Sequence, residues 1–354
     1  MTTLAEVGGW PVLLGKLVAG DDLSEAEASA GLAEILSGDA TAAQIAAFVV
    51  ALRAKGETAG ELAGLLTSVL DARVPVVLAP DVRRRAVDIV GTGGDRSHSV
   101  NVSTMSAIVV AGAGVPVCKH GNRAASSSCG AADLLEELGV TIELTPDGVA
   151  RCVEEAGIGF CFAPRFHPAF RHAGPIRREI GVPTAFNLLG PMANPARVPY
   201  MLVGVASEPF ARRMIDTLAA HGVERAWVVH GGDGLDELST TTVSRVLALA
   251  NGTVSAFELD PRDHGLERAT MDDLRGGPPP ENAAIARAML DGKPGPVRTI
   301  VLLNAGAALV VAGAANDLDE GIAGAAAAID DGRAAAALDR FVAVSTDAAG
   351  SAGS

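Results

Sequence analysis

Apolar and polar positions follow one period before residue 80 and another after it. Up to about residue 75 the pattern is helical. Ser24-Glu25-Ala26-Glu27 offers a capping residue followed by early acids, and Gly38 a stop. Thr41 opens another helix with Ile45, Phe48, Val49 and Leu52 on one face, and Gly56-Glu57-Thr58 breaks it. Leu62, Leu65, Leu66, Val69 and Leu70 form a third apolar stripe. The pattern predicts a small helical domain over 1–75 and a linker from Pro75 to Pro80.

Beyond the linker the apolar runs shorten to strand length, at 86–90, 115–119, 158–162, 201–206 and 226–230. Helical stretches at 105–113, 129–138, 146–156 and 208–221 lie between them. This alternation predicts an α/β domain over 81–346, with a mainly parallel sheet flanked by helices. The segment 164–199 breaks the rhythm with prolines and clustered cations, and is expected to pack back on the helical domain. The apolar stretch 300–315 contains Asn304, Gly306 and Gly313, and reads as a buried helix rather than a membrane span. The small, polar tail from Asp347 is expected to fray.

The chain has 354 residues, 49% hydrophobic and 20% charged, which describes a folded globular protein. Its net charge of −14 argues against nucleic acid or an anionic membrane as partner. An acidic protein that handles an anion must gather cations locally or bind through metal ions. The four cysteines, Cys118, Cys129, Cys152 and Cys161, show no C-x-x-C pairing. No basic, then apolar, leader opens the chain, so a reduced, cytoplasmic protein is expected.

The candidate chemistry sits where strands end. Gly91-Thr92-Gly93-Gly94-Asp95 follows the first apolar run, and Asn101-Val102-Ser103-Thr104 opens the next helix. Glycines let backbone N–H groups approach an anion, and the helix start favours negative charge. The motif therefore predicts phosphate or pyrophosphate binding. A P-loop is excluded because no Gly-Lys-Ser/Thr follows, and a dinucleotide fingerprint because Arg96 stands where its third glycine belongs.

A second loop, Lys119-His120-Gly121-Asn122-Arg123-Ala124-Ala125-Ser126-Ser127-Ser128, follows the second strand with cations and hydroxyls suited to a phosphorylated ligand. A third, His230-Gly231-Gly232-Asp233-Gly234-Leu235-Asp236-Glu237, carries adjacent carboxylates on a glycine-flexed turn. Mg²⁺ takes one or two carboxylates together with substrate phosphates and water, which reconciles an acidic chain with an anionic ligand. Arg171, Arg177 and Arg178 offer guanidinium groups to a second, carboxylate-bearing substrate, or to helix ends and ion pairs. His98, His120, His167 and His172 have no spacing that demands metal or catalysis.

In order and spacing, the Gly91–Asp95, Asn101–Thr104, Lys119–Ser127 and Leu235–Glu237 motifs resemble those of the anthranilate phosphoribosyltransferases of tryptophan biosynthesis. The resemblance spans essentially the whole chain, including His167-Pro168 and the Arg177 segment. It implies the nucleoside-phosphorylase-like fold, a homodimer through the helical domain, and transfer from 5-phosphoribosyl pyrophosphate to anthranilate with two Mg²⁺ ions per monomer. By similarity, Gly91, Gly94, Asp95, Ser99, Asn101, Val102, Ser103, Thr104, the loop from Lys119 to Ser127 (His120, Gly121, Asn122, Arg123, Ala124, Ala125, Ser126) and Ala131 would contact the phosphoribosyl donor. Ser103, Asp236 and Glu237 would hold the metal. Gly91, Asn122 and Arg177 would contact anthranilate, and Lys119 would act electrostatically, with no covalent nucleophile.

Two other readings use the same residues. A pyrimidine nucleoside phosphorylase shares the fold type but attacks a nucleoside with phosphate. A noncatalytic nucleic-acid-binding relative conflicts with the acidic balance.

Overall fold

The computed structural model describes residues 2–95, 97–124 and 128–351. Its N-terminal part is a bundle of α1 (Gly9–Ala19), α2 (Glu25–Ser37), α3 (Ala42–Lys55) and α4 (Ala59–Asp71). The last three open with one device. The Ser24, Thr41 and Thr58 hydroxyls accept a first-turn N–H, while Glu27, Gln44 and Glu61 accept the capping residue's own N–H. Such a cap contributes about 1 kcal/mol. Leu32, Ile35, Phe48, Leu52, Leu62 and Leu66 are buried as α2 packs on α4 and α1 on α3.

The second part is built on β1 (Val87–Gly91), β2 (Val117–Gly121), β3 (Ile158–Phe162), β4 (Tyr200–Gly204), β5 (Arg225–Gly231), β6 (Ser244–Ala250) and β7 (Thr253–Leu259). They form one sheet in the order β3-β2-β1-β4-β5-β6-β7. β1 to β5 run parallel, at the five predicted strand positions. The antiparallel hairpin β6–β7 is an addition to the prediction. It turns at Asn251-Gly252, both with positive φ, the residue pair a tight hairpin turn favours.

Helices Val102–Gly112 and Pro296–Val311 pack together against the sheet. The latter is the buried helix expected at 300–315; it starts four residues sooner, because Pro296 suits a first turn, and stops at Val311. The stretch 146–156 is an α-helix, Pro146–Arg151, that widens into a π turn at Cys152–Ala156. The helix Arg333–Ser351 takes in Asp347, where a frayed tail was expected, and buries Ser345 and Ala348. Helix Glu208–Ala220 touches both β5 and α4. Between the two parts, the Val74 N–H donates to the Phe166 carbonyl at 2.8 Å, and helices Gly174–Ile180 and Ala185–Met192 lie against α3 and α4. All four cysteines are buried, and among the described residues none is joined in a disulfide. Among the described residues no helix is long and apolar enough to cross a membrane.

Candidate active site

Strand order reverses between β1 and β4, because β2 and β3 extend the sheet on one side of β1 and β4 and β5 on the other, and ligands of such sheets collect at the carboxyl ends there. The Gly91–Asp95 loop leaves β1 at that end, with Gly93 and Gly94 at φ 65° and 81°. The Asp236-Glu237 segment lies across it. A Cβ on Gly91 would stand 2.2 Å from Asp236 Oδ2, and one on Gly204 1.6 Å from the Asp236 carbonyl oxygen. Only glycine at both positions leaves room for the acidic segment. Asp236 Oδ2 then accepts the Gly93 N–H at 2.7 Å, and Glu237 Oε1 accepts the Ser103 N–H at 3.1 Å. Two carboxylates are thus tied to the glycine loop and to the first turn of Val102–Gly112. The fully buried Asn304 fixes the next residue, its amide accepting the Leu238 N–H at 3.0 Å and donating to the Leu238 carbonyl at 2.9 Å.

The second loop leaves β2 beside this. Lys119 is buried; its Nζ donates to the Ile89 carbonyl and lies 3.2 Å from Ser103 Oγ. His120 Nδ1 meets the Gly190 carbonyl at 3.1 Å, which puts its proton there and, among the described residues, leaves the buried Nε2 without a partner. Gly121 faces the Phe160 ring. The exposed Asn122 Oδ1 accepts the Arg123 N–H, and the Ala124 N–H donates to Asp133. The Arg123 guanidinium turns to Asp133 and Glu136. Ala131 opens the helix Ala131–Glu137. Ala125, Ser126 and Ser127 lie outside the described residues.

Other predicted positions support these loops. Asp95 accepts from the Ser97 amide and hydroxyl, and the Ser97 oxygen lies 3.1 Å from Ser99 Oγ. Asn101 bonds the Cys129 carbonyl and the Asn282 amide. Val102 and Thr104 are buried in the first turn of their helix.

The charges here are under tension. Burial, then repulsion from Asp95, pushes Asp236 up to about 7; burial and Asp236 raise Glu237 well above the usual carboxylate range. Burial lowers Lys119, opposed by Asp88, Glu237 and Asp236. Carboxylates so placed gain from a cation. Among the described residues no three His, Cys, Asp or Glu side chains gather as a closed metal site. Two oxygen-donor carboxylates facing a phosphate-type loop nevertheless match the donor set Mg²⁺ takes alongside phosphates and water.

Arg177 stands apart from these loops. Its guanidinium lies 5.0 Å from the Phe186 ring and, among the described residues, forms no hydrogen bond or ion pair. Burial lowers its pKa. A line of rings joins it to β2: Phe186 to Phe170 at 5.6 Å, Phe170 to His167 at 5.5 Å, and His167 to His120 at 5.1 Å. Asp88, Asn194, Gly204 and Asn304 were not singled out as site residues from sequence. Asp88, a carboxylate inside an apolar strand, carried the plainest signal of the four.

This architecture has known counterparts. Residues 11–72 match the helical bundle domain of a glycosyl transferase family, and residues 83–335 match its a/b domain, so the class is a two-domain glycosyl transferase. The chain is 55% identical to the anthranilate phosphoribosyltransferase of Salinispora arenicola (strain CNS-205), over 88% of this chain and 89% of that one. The solved anthranilate phosphoribosyltransferase of Thermus thermophilus aligns at TM-score 0.89 and 42% identity, covering 94% of this chain and 99% of that one. That of Saccharomyces cerevisiae, solved with PRPP and Mg, aligns at TM-score 0.87 and 29% identity over 96% and 98%; a second structure holds 4-fluoroanthranilate. The chain belongs to the anthranilate phosphoribosyltransferase family.

Proposed function

We propose that the carboxyl ends of β1, β2 and β4 carry out this family's reaction, the transfer of a phosphoribosyl group from 5-phosphoribosyl pyrophosphate to anthranilate in tryptophan biosynthesis. The observation that carries the reading is the meeting of three loops: Asp236 on Gly93, Glu237 on Ser103, and Lys119 on Ser103. The anthranilate amine forms a bond to ribose C1 as the C1–O bond to pyrophosphate breaks, and the amine proton is then lost.

Negative charge grows on the leaving group as the bond breaks. Lys119, the Gly94 amide and the positive end of the Val102–Gly112 helix dipole would stabilise it. The rest of the donor would lie along Gly91, Asp95, Ser99, Asn101 to Thr104, Lys119 to Ser127 and Ala131. Ser103, Asp236 and Glu237 would hold two Mg²⁺ ions, which when bound neutralise phosphate charge. The line of contacting rings would offer an aromatic acid a surface to pack on. Arg177 would take its carboxylate bidentately, with Gly91 and Asn122 nearer the amine. The amine is neutral near pH 7, so orientation outweighs base catalysis and no covalent intermediate is required. A homodimer through the helical bundle, domains at 1–75 (with 164–199 packed back on it) and 81–346, and a cytoplasmic setting complete the proposal.

The test follows anthranilate fluorescence with phosphoribosyl pyrophosphate. Loss of anthranilate with Mg²⁺, and none after chelation, is expected; thymidine phosphorolysis without metal would replace this reading with the phosphorylase. Arg177→Ala should raise the KM for anthranilate about tenfold or more, as loss of a bidentate charged contact implies. An unchanged anthranilate KM would remove Arg177 from the acceptor site.

A further inference from the structure

Asp88 takes no part in the reaction as drawn, yet a buried carboxylate is costly unless fully partnered. It is fully buried at the second position of β1. Its Oδ1 accepts the His120 N–H at 3.1 Å and its Oδ2 accepts Asn194 Nδ2 at 2.8 Å. The same Asn194 nitrogen donates to the Cys118 carbonyl at 2.8 Å. Asn194 Oδ1 accepts the Ala196 N–H at 2.9 Å, which fixes the orientation of the amide. One carboxylate and one carboxamide thus grip the residues on both sides of Lys119, Cys118 before it and His120 after it. The lysine is held at its tip as well, by the carbonyl of Ile89, the residue after Asp88.

The backbone explains why side chains take this role. β1 and β2 pair in register only at Val87↔Val117, whereas β1 and β4 pair at five positions through Gly91↔Gly204. Beyond Val117 the ladder no longer fixes the height of β2 against β1. Burial raises Asp88, and attraction to Lys119 limits the rise to about 6.

We propose that Asp88 and Asn194 are positioning residues that set the place of Lys119 through its two chain neighbours, and thereby the enzyme's hold on the phosphoribosyl donor. The proposal rests on the reading of Lys119 as a donor contact. In Asp88→Asn the new NH2 would face either the Asn194 amide or the His120 N–H, donor to donor; Asn194→Ala removes the bridge from the other side.

The experiment is a double-mutant cycle on the full chain with Mg²⁺, measuring both KM values and kcat, with thermal unfolding as the check on folding. Asp88→Asn should raise the KM for phosphoribosyl pyrophosphate about tenfold, from buried hydrogen-bond groups left unpaired. The KM for anthranilate should stay within about twofold, and Asn194→Ala should shift the same parameter in the same direction. Added to Lys119→Ala, Asp88→Asn should change the donor KM by no more than about twofold, since both act through one group. Full multiplication of the two factors would overturn the positioning role while leaving the Lys119 reading intact. An unchanged donor KM in Lys119→Ala alone would instead sink that reading. If neither Asp88→Asn nor Asn194→Ala yields folded protein, the pair holds the fold rather than the lysine, and the proposal falls.

Discussion

The two seams beside β1 are built in opposite ways. On the β4 side the backbone does the work: five register pairs end at two facing glycines, whose missing side chains leave a slot for Asp236. On the β2 side one register pair is followed by a carboxylate, a carboxamide and an ammonium reaching across. The difference follows from what each seam presents. Carboxylates that face a cation need fixed geometry but no room to adjust, and backbone contact supplies that. A buried lysine needs its charge balanced, and only side chains bring a counter-charge. Errors on the β4 side should therefore be abrupt, and those on the β2 side graded.

Gly204→Ala is the severest way to break the comparison. Its Cβ would stand 1.6 Å from the Asp236 carbonyl oxygen, far inside van der Waals contact, and the obstacle is backbone. The acidic segment must leave its slot. Activity should fall by about a hundredfold or more, the scale expected when catalytic groups are misplaced by an ångström. Near-normal kinetics with an ordinary Mg²⁺ titration would show that the slot is not needed.

Asn304→Ala attacks the same side from behind and should cost less. It leaves the N–H and carbonyl of buried Leu238 unpaired, for which about 2 kcal/mol of stability is expected from denaturant unfolding. Because the change falls next to Glu237, the Mg²⁺ concentration for half activity should rise while the anthranilate KM holds. A stability loss with no change in metal requirement would confine Asn304 to the fold.

Much of this was legible in the sequence, for identifiable reasons. The caps at Ser24 and Thr41, and the five parallel strands, are local signals of capping chemistry and apolar run length. The glycine loop and the acidic pair were found because each is a contiguous motif. Their contact was not visible, since Gly93 and Asp236 stand 143 positions apart and meet only through the strand order. Gly204 and Asn304 act through packing from distant segments and leave no local pattern. The hairpin β6–β7 was a missed signal of another kind: Asn251-Gly252 marks its turn, but β7 is largely exposed and lacks the apolar run expected of a buried strand.

The buried histidines and the buried carboxylates differ in the sign of their pH response. Burial, with Arg73 adding to it, lowers His167 to about 4; His120, packed against it, is lowered well below its ordinary value. A histidine depressed in the folded state binds its proton better when unfolded. Its contribution is complete above about pH 6.5 and is lost as pH falls towards 4. Asp88 and Asp236 are raised, to about 6 and about 7, so the folded form holds their protons better and they oppose the loss over the same range. His167→Gln keeps a donor for the Ala193 carbonyl, which Nε2 meets at 2.9 Å, but cannot titrate. Between pH 7 and 4.5 the wild type should lose about 2 kcal/mol more stability than this variant, judged by denaturant unfolding at both pH values. Equal losses would mean that His167 takes up its proton as readily in the folded protein as in the unfolded one, and that its surroundings are wetter than its burial implies.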